Sequence, residues 1–172
     1  MAWTVVRTTT PEQHQEAMRL VHDAYVQAGH IILVPGGVRG RVWNNSEHTS
    51  TFVAERDRDV IGVMSVTVDS EIGLPSDHAF QAEIDKLRDR GLVSEASNLA
   101  ILPDKSSVRL MRDLAEMCRE QAYEWGCKCV FIAVSPHHTE FFRRVVGFEK
   151  CGAARSYSDE TSDIVEGMVL EL

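Results

Sequence analysis

A mixed α/β (α+β) fold, with a central sheet carrying helices on both faces, is what this 172-residue chain predicts. Three observations carry that reading. Segments with strand-type alternation take turns with segments whose apolar residues recur every three or four positions. The run Cys129-Val130-Phe131-Ile132-Ala133-Val134 is almost wholly apolar, as a strand buried on both faces would be. With 44% hydrophobic and 26% charged residues, the composition is that of a globular protein with a substantial core.

The elements follow in order. Trp3, Val5 and Val6 among threonines suit a first strand over residues 3–9. Thr10-Pro11-Glu12-Gln13 is a helix start: threonine cap, proline at the first helical position, and Gln13 three residues after the cap. Ala17, Met18, Val21, Ala24, Tyr25 and Ala28 then trace one apolar face, and Gly29 ends the helix. Residues 30–50, where Pro35-Gly36-Gly37 interrupts the run Ile31–Val34, read as a long loop of the kind that often carries function. Thr51–Glu55 and Val60–Val68 form a hairpin across Arg56-Asp57-Arg58-Asp59.

Leu74-Pro75-Ser76-Asp77 caps a second helix that turns Phe80, Ile84 and Leu87 inward and ends at Gly91. Residues 92–102 form a strand that Pro103 terminates. Val108, Met111, Leu114, Ala115, Cys118, Ala122 and Trp125 define a long amphipathic helix closed by Gly126. After the buried strand, a short helix runs through Phe141, Phe142, Val145 and Val146 to Gly147, and strands near 148–157 and 164–172 complete the chain. The strand-helix-strand unit over 92–134 implies a parallel pair, and the hairpins imply antiparallel neighbours, so the sheet is mixed and mostly antiparallel. The expectation is one domain over residues 1–172, with no repeat, linker or low-complexity tract.

Charge narrows the function. Eighteen Lys/Arg against 26 Asp/Glu leave a net charge of −8, which disfavours nucleic acid and anionic membranes as partners. No apolar run reaches the ~20 residues of a bilayer span, and no secretion signal opens the chain. Cys118, Cys127, Cys129 and Cys151 have no metal-ligand or paired spacing. A reduced, cytoplasmic protein is expected.

The segment Phe141-Phe142-Arg143-Arg144-Val145-Val146-Gly147-Phe148-Glu149, following that element order, resembles the GNAT superfamily of N-acyltransferases. Val66 to Pro75, the acidic helix after it, and Glu95-Ala96-Ser97-Asn98-Leu99-Ala100-Ile101 resemble the N-acyl amino acid synthases. That family joins a long-chain acyl group, carried on acyl carrier protein, to an amino acid's amine; it is similar in turn to the acyl-homoserine lactone (autoinducer) synthases. The resemblance extends from about Val21 to Gly152. It implies a GNAT-like sheet and no tightly bound cofactor, with acyl-phosphopantetheine on acyl carrier protein as co-substrate.

Two departures refine this. GNAT enzymes that use coenzyme A usually carry a glycine-rich loop that cradles pyrophosphate at a helix N-terminus. Here the corresponding stretch, Leu102-Pro103-Asp104-Lys105-Ser106-Ser107-Val108-Arg109, has no glycine and includes an acidic residue. A carrier-protein donor, with a single phosphodiester, is favoured over coenzyme A. The autoinducer synthases' Arg-x3-Phe-x5-Trp pattern corresponds here to Val21, Tyr25 and Ile31, and their Glu-x-Ser/Thr-Arg to Glu95-Ala96-Ser97-Asn98. An amino acid acceptor fits better than S-adenosylmethionine.

Amide formation from a thioester needs a deprotonated amine, a stabilised oxyanion and a dry acyl slot. Glu95, in an otherwise apolar strand, is the candidate base, because burial raises a carboxyl toward the working pH. Its alternative is a place on a solvent face. By the resemblance, the strand bulges and splays near Leu99, Ala100 and Ile101, whose backbone N–H groups become the candidate oxyanion and pantetheine contacts. Ser97, Asn98 and His137 are candidate acceptor contacts; His137 and His138, after Ser135-Pro136, have a helix-capping role as the competing reading. Adjacent histidines make a poor metal pair, so no metal is expected.

Phe131, Phe141, Phe142, Met111, Met117 and Met64 are candidate acyl-slot lining, or ordinary core. Residues 103–150 hold eight Lys/Arg against seven Asp/Glu, while the remainder is strongly acidic. Lys105, Arg109, Arg112, Arg143 and Arg144 are therefore the candidate docking residues for an acidic carrier protein, their alternative being solvated helix faces. The expected activity is N-acyl amino acid synthesis. The alternatives are an acyl-homoserine lactone synthase, an acyl-CoA-dependent N-acetyltransferase, and a non-catalytic fatty-acyl binding module.

Overall fold

The computed structural model describes residues 2–38, 40–159 and 161–172. Among them the strands are β1 (Thr4–Arg7), β2 (Thr49–Arg56), β3 (Asp59–Val68), β4 (Val93–Ile101), β5 (Cys129–Val134), β6 (Glu149–Ser156) and β7 (Ile164–Glu171). The helices are α1 (Pro11–Gln27), α2 (Asp77–Arg88), α3 (Val108–Glu124) and α4 (Pro136–Phe141). They alternate in the predicted order.

The strands form one sheet in the order β1-β2-β3-β4-β5-β7-β6. β4 and β5 run parallel, joined by the α3 crossover, and every other neighbouring pair is antiparallel. Helix α1 starts as its sequence dictates, with Thr10 Oγ1 accepting from the Gln13 N–H at 3.2 Å. Gln13 returns a bond to the Thr9 N–H, one residue before the cap. The β2–β3 turn places Asp57 at φ 54° and Arg58 at φ 73°, the conformation a two-residue hairpin needs to match strand twist.

On one face, α3 and the segment after α4 cover Phe52, Met64, Val66, Ala96, Val130 and Ile132 of the sheet with Leu110, Leu114, Cys118 and Phe142. On the other face the cover is divided. α1 packs Ala17, Met18 and Val21 on Val53, Val63 and Ala100, while α2 packs Phe80, Ile84 and Leu87 on Val93, Phe131 and Val165. Phe80 reaches the sheet because Gly152 and Gly167 leave room; a Cβ on Gly152 would stand 2.8 Å from its ring.

The run Ile31–Val34 lies in the long loop read from the sequence: Ile32 is 57% exposed and Leu33 73%, and one 3-10 turn follows at Val42–Asn45. Apolar content alone cannot bury a run that lacks the periodicity of an element. The last helix begins at Pro136, well before Phe141, and passes into a π turn over Phe142–Val146 that Gly147 ends at φ 95°. Phe142 is thereby set between the rings of Phe141 and Phe148, at 5.2 and 5.7 Å. Among the six proposed slot residues, Phe131, Phe142 and Met64 are fully buried core.

Candidate active site

β4 and β5 pair only from Val93 opposite Cys129 to Glu95 opposite Phe131. Beyond that point both strands continue, β4 to Ile101 and β5 to Val134, without bonding each other. A bulge in β4 makes the separation. Asn98 adopts φ 55°, and the β3–β4 register slips between Val63 and Ser65, so that Asn98 and Leu99 together face Met64. The cleft between the splayed edges has a volume of about 320 Å³ and is lined by residues 95–101 of β4, by Ala133, Val134 and Ser135, and by Met111 of α3. Ala24 and Tyr25 of α1, Ala28 at its C-terminal cap, Arg41 and Ile31 of the long loop, and Tyr157 close its other sides.

Glu95 sits where the strands part, 2% exposed. Its carboxyl accepts the Ser76 N–H at 2.9 Å and the Ser76 hydroxyl at 2.5 Å. The Ser76 hydroxyl is also 3.3 Å from the Tyr157 phenol. Burial pushes Glu95 up to about 7; the two Ser76 bonds and the Arg41 charge pull the other way and do not offset it. Burial and the adjacent Glu95 charge likewise push the Tyr157 phenol up.

Ser76 is held in place by its surroundings. It occupies the cap position of α2 but makes no cap bond; its hydroxyl is turned to Glu95 instead. Asp77 secures the loop by accepting from the Leu74 N–H at 2.7 Å. Arg88 ties this Asp77 and Asp69 together through a fork of hydrogen bonds at 2.6–2.9 Å, which hold its guanidinium strongly in the charged form.

The other expected site residues fall into two groups. Ser97, Asn98, Leu99, Ala100 and Ile101 all line the cleft with Glu95. Asn98 is 4% exposed and spends its amide N–H bonds on Asn44 Oδ1 (3.1 Å) and Ser65 Oγ (3.2 Å), so it locks the long loop to the bulge. His137 does not line the cleft; it is exposed in the first turn of α4, and its neighbour His138 lines the cleft instead. A helix turn separates adjacent side chains by about 100°, so one of the two must face away. Burial, followed by the charges of His30 and His137, holds His138 below the usual histidine range. Of the six acyl-slot candidates, Met111 lines the cleft.

Lys105, Arg109 and Arg112 cluster at the start of α3, beside the cleft residues Ser106 and Met111. Lys105 pairs with Asp104 at 2.5 Å, and Arg109 lies over Trp3 and 3.8 Å from Asp113. Arg143 and Arg144 both pair with Glu140 on α4.

The sequence profile of the N-acyl amino acid synthase FeeM family matches residues 16–166. The chain belongs to that family. It is an acyltransferase. The solved structure of FeeM, an N-acyl amino acid synthase from uncultured soil microbes, is similar over 99% of this chain and 91% of its own, at 20% identity and a TM-score of 0.85. The AHL synthase LasI is similar over 98% of this chain and 88% of its own, at 11% identity and a TM-score of 0.71. Escherichia coli ElaA matches 99% of this chain and 99% of its own, at 10% identity and a TM-score of 0.70. No curated protein is significantly similar in sequence. These likenesses establish the GNAT-like fold of this FeeM-family acyltransferase. No helix among the described residues is long and apolar enough to cross a membrane.

Ser76, Tyr157 and Arg41 were not singled out by sequence reasoning as site residues. Ser76 carried a signal, since Asp77 beside it can serve the loop and release the serine hydroxyl. Tyr157, at the end of a strand, and Arg41, in the long loop, carried none, and Tyr157 is 81 residues from Ser76 along the chain.

Proposed function

We propose that this single N-acyltransferase unit moves a long-chain fatty acyl group from the phosphopantetheine thioester of acyl carrier protein to the amine of an amino acid. The observation that carries the reading is Glu95: a buried carboxyl with a pKa of about 7, opening on a cleft between two unpaired strand edges. At neutral pH such a group exists in both protonation states, which is what a general base requires. Glu95 takes a proton from the acceptor ammonium, directly or through water. The freed amine attacks the thioester carbonyl, the C–N bond forms, and the C–S bond breaks to release the pantetheine thiol with a proton. A backbone N–H within Leu99–Ile101 stabilises the oxyanion, and the pantetheine lies along the open strand edges as an added strand would.

The carrier protein is favoured over coenzyme A by the start of α3. There the Ser107 hydroxyl accepts the Leu110 N–H at 3.1 Å, and Asp104 stands in the preceding turn. The backbone donor that a pyrophosphate would seek is engaged, and a like charge is near it. Lys105, Arg109 and Arg112 are proposed to dock the acidic carrier, with Arg143 and Arg144 of the turn after α4 as further docking residues.

The test supplies the purified protein with dodecanoyl to hexadecanoyl thioesters of acyl carrier protein or of coenzyme A, with an amino acid mixture. Thiol release and product mass are followed. We expect N-acyl amino acids, formed faster from the carrier thioester, and a loss of turnover of roughly 10²–10⁴-fold in Glu95→Gln. A lactone product from S-adenosylmethionine would move the protein among the autoinducer synthases. Acyl binding without thiol release would make it a binding module.

A further inference from the structure

Arg41 is the one lysine or arginine among the described residues lining the cleft. It stands at the head of the 3-10 turn Val42–Asn45, with its guanidinium 4.9 Å above the Trp43 ring. Two residues of that turn are anchored: the Trp43 indole N–H donates to the Gly73 carbonyl at 2.9 Å, and Asn44 accepts from Asn98. The guanidinium charge acts on the Tyr157 phenol, opposing the upward push of burial, and that phenol is 3.3 Å from the Ser76 hydroxyl that donates to Glu95. Arg41 therefore lies one link from the groups around the base. It makes no ion pair with any described carboxylate within 4.0 Å. Asp163, the other acid lining the cleft, is taken by His30 at 2.9 Å.

A planar cation fixed on an aromatic ring, facing a cleft and lacking a carboxylate partner, is prepared for a planar anion. An α-amino acid carries its amine and its carboxylate on a single carbon, so groups that bind the two must be close neighbours. We infer that Arg41 receives the acceptor's α-carboxylate and thereby selects α-amino acids over simple amines. This rests on the N-acyltransfer reading above. Glu95 and Arg41 then divide the acceptor between them: the carboxyl faces the ammonium, and the guanidinium faces the carboxylate. Amines without the acid group leave Arg41 unanswered.

The experiment measures equilibrium binding of N-dodecanoyl amino acids and of their N-dodecanoyl carboxamides, which have the same shape without the charge. Trp43 fluorescence and calorimetry provide the readout, with melting curves to confirm folded variants. For the preferred side chain, the acid should bind roughly 10–100-fold more tightly than its amide, as a charged hydrogen-bonded pair requires. Arg41→Gln should bring that ratio to about one, and Arg41→Lys should keep part of it, since lysine retains charge without the fork. An acid-to-amide ratio near one in the unaltered protein overturns the inference, as does a ratio that survives Arg41→Gln. If no acylated amino acid binds in either form, the N-acyltransfer reading itself fails and this inference with it. Acids and amides that bind equally well leave that reading standing and remove Arg41's role alone.

Discussion

The two faces of the sheet are built on different plans. Under α3 the cover is continuous and apolar, from Phe52 across Val66 and Ala96 to Ile132. On the opposite face, α1 and α2 each cover a separate cluster, and a polar strip runs between them. That strip is hydrogen-bonded throughout: Thr49 to Thr67 at 2.8 Å, Thr51 to Ser65 at 2.9 Å, Ser65 to Asn98, and Ser76 to Glu95. Buried polar groups are tolerable there because each finds a partner. The first face concentrates stability; the second accepts a buried acid whose charging opposes folding. A chemistry that needs a perturbed carboxyl is thus kept on the face where the apolar cover is already divided.

The contrast can be broken most severely on the apolar face. Phe142→Ala, which empties the space between Phe141 and Phe148, should cost about 3–5 kcal/mol in urea unfolding. It should leave the pH dependence of turnover unchanged at temperatures where the variant is folded. On the polar face the expected effect comes from pH. The folded-state pKa of Glu95 is raised from 4.5 to about 7, so its contribution to stability is present below pH 4.5 and is lost as pH rises through 7. Relative to Glu95→Gln, the unaltered protein should lose about 3 kcal/mol of unfolding free energy between pH 4 and pH 8, measured by denaturant titration. A constant difference between the two proteins would show that Glu95 titrates normally. The smallest change in stability belongs to the proposed docking surface. Arg112→Glu, at an exposed position, should move stability by less than about 0.5 kcal/mol. It should still raise KM for acyl carrier protein roughly 3–10-fold at low salt, an effect that fades as salt is added.

The same division explains what the sequence disclosed. α3 was legible from its three-and-four spacing and β5 from its unbroken apolar run, and the hairpins and the element order were legible with them. Glu95 was legible as a charge inside an apolar strand. Its partners were not, because hydrogen bonds across long separations leave no local pattern. Ser76 read as a helix cap since serine before a helix usually is one; here Glu95 competes for the hydroxyl and holds it. His137 and His138 were indistinguishable until the direction of α4 was known. Ile32 and Leu33 were legible as loop residues because Pro35-Gly36-Gly37 cuts their run short, and they lie exposed.

The bulge at Asn98 also acts as a splice. Before it, Val93, Glu95 and Ser97, the odd positions of β4, face α1 and α2; after it, Ala100 faces α1 while Leu99 and Ile101 turn toward α3. One strand therefore runs in two phases. In the proposed reaction, the first half presents side chains to the acceptor, and the second presents bare backbone to the donor. Removing a single residue at the joint would restore one unbroken alternation, leave Met64 a single partner across the ladder, and close the bulge at which β4 parts from β5. The proposed meeting point of the two substrates is where the strand's own counting skips a beat.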